Sequence, residues 1–77
     1  MIKEHDRIVL TSDLSQESLK TGDVGTVVHV HDGGAAFEVE FMALDGTTVA
    51  VATVLQSQAR PVTHDDVTHA RPKTLVT

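Results

Sequence analysis

A chain of 77 residues is one small domain, at a size where an apolar core barely offsets chain entropy, and without cysteine it has no disulfide to help. Phe37 and Phe41 are its only aromatic residues, so the interior has to be built from valine, leucine, isoleucine and alanine. A formal charge of −5 weighs against a phosphate-backbone ligand and towards a basic protein partner; Asp65 and Asp66 are offset by Arg71 and Lys73, so the excess belongs to residues 1–62.

In chain order, Lys3-Glu4-His5-Asp6-Arg7 interrupts any apolar leader, and no apolar run reaches membrane-spanning length. Together with the absence of cysteine this sets a cytoplasmic, membrane-free expectation. Arg7-Ile8-Val9-Leu10-Thr11 reads as a first strand. Ser12 to Lys20 is polar and reads as a loop that Leu14 and Leu19 can fold back onto the core, with a short helix over residues 13–19 as the other reading.

Lys20-Thr21-Gly22-Asp23-Val24-Gly25-Thr26-Val27-Val28 is a glycine-bracketed turn that runs into a β-branched strand. Either glycine can supply a positive φ or let another backbone approach closely, and Asp23 can bond its own turn. Val24 to His31 and Ala36 to Leu44 then alternate with period two around Asp32-Gly33-Gly34-Ala35, a hairpin signal. A two-residue Gly33-Gly34 turn predicts Val30 opposite Phe37, Val28 opposite Val39 and Thr26 opposite Phe41, with His29/Glu38 and Val27/Glu40 on the outer face.

Asp45-Gly46 marks a second hairpin, leading to Thr47-Thr48-Val49-Ala50-Val51-Ala52-Thr53-Val54. A two-residue turn would set Ala50 and Ala52 inside, and a three-residue, bulged turn would set Val49 and Val51 there. The valines fill more volume beside the phenylalanines, so the bulged turn is the expectation. Leu55-Gln56-Ser57-Gln58 suits a single 3₁₀ turn, and Ala59-Arg60-Pro61-Val62 a short terminal strand that Pro61 assigns to an edge. Asp65 to Arg71 allows one or two helical turns ended by Pro72, and Lys73 to Thr77 a frayed or docked end. The sum is an all-β chain, a small five-stranded SH3-like barrel over residues 1–62 with a 3₁₀ turn before its last strand, followed by a C-terminal tail over 63–77.

The segment Lys20 to Val28, taken with Phe37-Glu38-Val39-Glu40-Phe41 and Arg60-Pro61-Val62, resembles a short bacterial family known as domain of unknown function 4926. The resemblance runs from Ile2 to about Arg71 and is most specific at Asp6-Arg7-Ile8-Val9-Leu10 and Gly22 to Val28. It implies a free-standing small β-barrel without assigned activity, encoded beside another small protein in the manner of toxin and antitoxin pairs. More distantly, the glycine-bracketed turn is similar to the KOW motif of ribosomal and transcription-elongation proteins. Those are basic around the motif, whereas Asp23 and Asp32 stand here.

Three function classes follow. The first is non-catalytic protein binding, an antitoxin-like or immunity-like role towards a basic partner, by a monomer or small homo-oligomer. Its candidate surfaces are the strip of Glu38 and Glu40 with His29 and His31, and the loop bearing Asp13 and Glu17. The second is KOW-like nucleic-acid binding. The third is weak metal binding by His29 and His31 with Glu38 adjacent, but two imidazoles on an exposed strand fall short of the three or four convergent ligands a metal needs, so no metal and no cofactor are expected. Glu38 and Glu40, about 7 Å apart on one strand face, read as solubilising carboxylates rather than an acid-base pair, and no serine or cysteine stands in a nucleophile context. Gly22, Asp23, Gly25, Gly33, Gly34, Asp45 and Gly46 read as turn residues, since neither glycine cluster opens a helix or carries the lysine and hydroxyl of a phosphate loop. Arg7 and Arg60 become neighbours if the first and last strands pair, where they would balance Glu4 and Asp6 or hold a carboxylate.

Overall fold

A computed structural model describes residues 1–73. Five antiparallel strands, β1 (Arg7–Leu10), β2 (Val24–His31), β3 (Ala36–Met42), β4 (Thr48–Leu55) and β5 (Ala59–Pro61), form one open sheet in the order β4-β3-β2-β1-β5. A 3₁₀ turn at Gln56–Gln58 separates β4 from β5. These strands occupy opposite edges of the sheet yet are joined by three residues, so the sheet has to roll until its two edges meet at that corner. Backbone bonds fasten the corner: Gln56 N donates to Ala35 O at 3.0 Å and Thr11 N to Gln58 O at 2.8 Å. No ladder joins β4 to β5 among the described residues, so the sheet is rolled but open and the expected barrel is not closed.

The core lies inside the roll. Ile8, Leu10, Leu19, Val27, Phe37, Val39, Phe41, Ala52 and Val54 form one buried cluster. Leu14 pairs with Leu19 across a short 3₁₀ turn at Ser15–Glu17, and Leu19 is 2 % exposed, so the polar loop does fold back onto the core as its two leucines predict.

The first hairpin keeps its predicted register only near the turn. Val30 faces Phe37 and His29 faces Glu38, but a bulge at Val28 then sets Val27 opposite Val39 and Thr26 opposite Glu40. The predicted pairs Val28/Val39, Thr26/Phe41 and Val27/Glu40 are therefore wrong. A bulge adds one residue to one strand, which flips every side chain beyond it and sharpens the twist that a rolled sheet needs. Val27 is fully buried in consequence and Val28 is 45 % exposed. The turn itself spans Asp32 to Ala35 rather than two residues, with Asp32 at φ 48°, Gly33 at 67° and Gly34 at 113°.

The second hairpin corrects a choice of face. Ala43 N donates to Thr47 O at 2.8 Å and Met42 faces Thr48, as a three-residue loop requires. Val49 is then bulged, and beyond it Phe41 faces Ala50, Val39 faces Ala52 and Phe37 faces Val54. The alanines are inside and Val49 and Val51 outside, opposite to the expectation, because the phenyl rings already fill the volume the valines would have supplied.

The tail is not helical over Asp65–Arg71; among the described residues it makes one turn at His64–Asp65 and otherwise runs without regular structure. Of the residues in the reading for Lys73 to Thr77, 74–77 lie outside the described ones. β5 pairs with β1, setting Val9 opposite Arg60, with Pro61 at the edge as predicted. Arg60 does not balance Glu4 or Asp6. Its guanidinium donates to both carboxylate oxygens of Asp66, at 2.7 and 3.0 Å, while Asp6 accepts from Lys3.

Candidate functional site

The outer face of β2 and β3 gathers the predicted polar strip. His29 and His31 point the same way, their rings 4.7 Å apart and edge to face. His31 Nε2 lies 2.9 Å from Glu38 Oε2, which also accepts the Thr53 hydroxyl of β4 at 2.6 Å. Glu38 sits opposite His29 in the ladder but bonds the diagonal His31; His29 Nδ1 instead faces Glu4 at 3.7 Å. The Thr53 hydroxyl, followed by His31, holds the Glu38 carboxyl below the usual carboxylate range. Glu40 accepts the Thr48 hydroxyl at 2.7 Å. Both glutamates are thus oriented by threonines of the edge strand, residues that sequence periodicity did not single out.

The second predicted surface is separate from the first. Asp13 is spent on its own loop: its Oδ1 accepts the Thr21 backbone N–H at 2.7 Å and the Thr21 hydroxyl at 2.9 Å, and these bonds lower its pKa. Glu17 is exposed in the 3₁₀ turn. No described hydrogen bond or ion pair joins either residue to the His29–Glu38 strip. No group of three metal-ligating side chains occurs among the described residues, so His29, His31 and Glu38 do not complete a metal site.

The predicted turn residues divide by role. Gly22 (φ 95°), Gly33, Gly34 and Gly46 (φ 89°) have the left-handed backbone expected of them. Gly25 does not, and is needed for space instead: a Cβ there would lie 2.4 Å from Val39 Cγ1. Asp45 accepts the Thr47 N–H at 2.9 Å, closing its own turn. Asp23 accepts the Lys20 N–H at 2.9 Å and is also the anchor of the tail, since Arg71 Nε donates to Asp23 Oδ1 at 2.9 Å and Arg71 Nη2 to Oδ2.

That ion pair spans 48 residues and left no trace in the sequence. Partial burial lifts the Asp23 carboxyl, but Arg71 and the Lys20 N–H together outweigh it, and the net direction is down. A carboxyl held below its unfolded value stabilises fully above that value, about 4, and loses the contribution as pH falls through the lower folded value. Tail docking is therefore expected to be constant from neutral pH down to about 5 and to fade below about 4. The Arg71 Nε–H resonance checks this; a signal typical of free arginine already at pH 6 would contradict it.

The family's sequence profile matches residues 4–61, more than half of the chain. The chain belongs to the family of domain of unknown function 4926, DUF4926. The match covers all five strands and stops at the end of β5, so the tail from Val62 lies beyond the DUF4926 segment. No curated protein and no solved structure matches the chain. No helix among the described residues is long and apolar enough to cross a membrane.

What most distinguishes the DUF4926 sheet is the contrast between its edges. β5 is three residues long and contains Arg60 and Pro61, features that blunt an edge. β4 is eight residues long, and the chain has no charged residue or proline from Gly46 to Ala59. Val49, Val51 and Leu55 are exposed on it, Val51 by 56 %. The backbone groups on its outer side have no strand to pair with among the described residues.

Proposed function

We propose that this protein is a non-catalytic protein-binding module that takes an extended segment of a basic partner onto the open β4 edge, in an antitoxin-like or immunity-like role towards a small neighbouring protein. The observation that carries this reading is the unprotected eight-residue β4 edge in a sheet whose other edge is guarded. Strand addition draws affinity from backbone bonds along such an edge and specificity from the alternate side chains. Glu40 stands beside Val51 and Glu38 beside Thr53, one strand in from the edge, where partner lysines or arginines can reach them. The acidic balance of the chain supports a basic partner by speeding encounter, and disfavours a nucleic-acid backbone.

Val51→Lys places a charge on the solvent side of the edge without touching the core. Co-expressed with the product of the neighbouring reading frame, this variant is expected to stay folded and to lose at least tenfold in affinity for that protein. Glu38→Lys with Glu40→Lys is expected to weaken binding chiefly through a slower, salt-sensitive association rate. Unchanged affinity of the folded Val51→Lys protein, measured by titration calorimetry, would remove the β4 edge from the interface.

A further inference from the structure

The C-terminal segment holds two of the chain's six lysines and arginines within three residues, Arg71 and Lys73, and no acidic residue follows Asp66. It lies at the end of the sheet where the start of β2, the end of β3 and the β3–β4 loop leave an apolar hollow. Buried Leu19 and Phe41 line the inner side, and Val24, Met42 and Leu44 are 47, 53 and 102 % exposed around it. Two carboxylates, Asp23 and Asp45, stand among these apolar residues. Residues 69–73 form the remaining wall, so the most basic stretch of the chain borders an apolar hollow flanked by acids.

The contact is specific. Arg71 grips both oxygens of Asp23 and adds a bond from Nη2 to Ser18 O at 3.3 Å, with its side chain 24 % exposed and that of Asp23 18 %. A forked, partly desolvated guanidinium–carboxylate pair is far better defined than an ordinary surface ion pair. Pro72 disfavours a helical conformation at Arg71 and has no backbone N–H to satisfy.

We propose that this end of the sheet is a receptor for an extended basic segment of a partner protein, and that residues 69–73 cover it in cis, with Arg71 on Asp23, until that segment displaces them. The tail displays the chemistry the receptor accepts: an arginine for Asp23, a second cation towards Asp45, and Ala70 and Pro72 on either side of the arginine. The proposal rests on the reading of the protein as a binding module but is centred on Asp23 at the end of the sheet, and meets the β4 edge only at Val49.

The test uses the full chain, isotopically labelled, with Arg71→Ala and Lys73→Ala to release the tail, titrated with a capped peptide of residues 68–73. Saturable shifts are expected at the amides of Gly22, Asp23, Val24 and Gly46. Affinity should be at least tenfold higher than for the unaltered protein, whose tethered tail competes at an effective concentration on the order of millimolar. Adding Asp23→Asn, which keeps an acceptor for the Lys20 N–H, should cost at least fivefold. A peptide with glutamine in place of its arginine should lose as much without any change to the protein. Binding should persist in a Val51→Lys background, so failure at the β4 edge leaves this result standing. No saturable shift, equal affinity with and without the tail substitutions, or indifference to the peptide's arginine would each overturn the proposal.

Discussion

Phe37→Ala is expected to leave the protein largely unfolded at 25 °C in dilute urea. Phe37 is 2 % exposed, faces Val30 on β2 and Val54 on β4, and belongs to a cluster in which the only other aromatic ring is Phe41. Truncating a buried phenylalanine costs about 3–5 kcal/mol, part lost transfer energy and part residual cavity. A domain of 77 residues has a total stability on the order of 4–12 kcal/mol, and a thin aliphatic core belongs near the lower end. The substitution therefore removes most of what there is. Phe37→Leu, which keeps more of the volume, should cost about 1.5 kcal/mol or less. Urea unfolding followed by far-ultraviolet circular dichroism decides the matter. A Phe37→Ala protein with a midpoint near that of the unaltered chain would mean the core does not depend on this ring.

Gly25→Ala is expected to destabilise, against the usual direction for a glycine in a strand. Where backbone geometry is ordinary, glycine to alanine stabilises by roughly 0.4–1 kcal/mol because the unfolded chain loses freedom. At Gly25 the new Cβ would lie 2.4 Å from Val39 Cγ1 and 2.8 and 2.9 Å from the Phe41 ring. Neither neighbour is a flexible chain end: the β-branched Val39 is restricted at χ1 and fully buried, and the phenyl ring is wedged among buried residues. Overpacking of this kind costs about 1–3 kcal/mol. Val39→Ala in the same chain should recover part of the loss, giving a coupling that two independent sites would not show. Gly22 is the control. Its Cβ would meet nothing, so Gly22→Ala should suffer only from φ 95°. A double-mutant cycle at 25/39 with no coupling would refute the packing account.

These two glycines illustrate how far the sequence could be read. Both stood out in the segment Lys20 to Val28, and both readings of a glycine, backbone freedom and close approach, were available there. Gly22 uses the first and Gly25 the second. Nothing local distinguishes them, because the Val39 and Phe41 side chains come from a different strand. The candidate site shows the same division. The strip of His29, His31, Glu38 and Glu40 was legible from alternation, while its threonine partners on β4 and the Arg71–Asp23 pair were not, since both need the sheet to be assembled first.

The sequence by itself determined that this protein is all-β, where its five strands and the 3₁₀ turn before the last of them fall to within a few residues, and that its core is aliphatic around two phenylalanines. Those properties follow from period-two patterning, turn chemistry and composition, which act over a few neighbouring residues. Tertiary structure decided which side of each bulged strand is buried. It exchanged Val28 for Val27 and Val51 for Ala52, because one inserted residue inverts every later side chain and the choice turns on the volume left by residues from other strands. It also decided that β4 is the unguarded edge and that the tail folds back to Asp23, since strand order and a contact across 48 residues depend on how the whole sheet rolls.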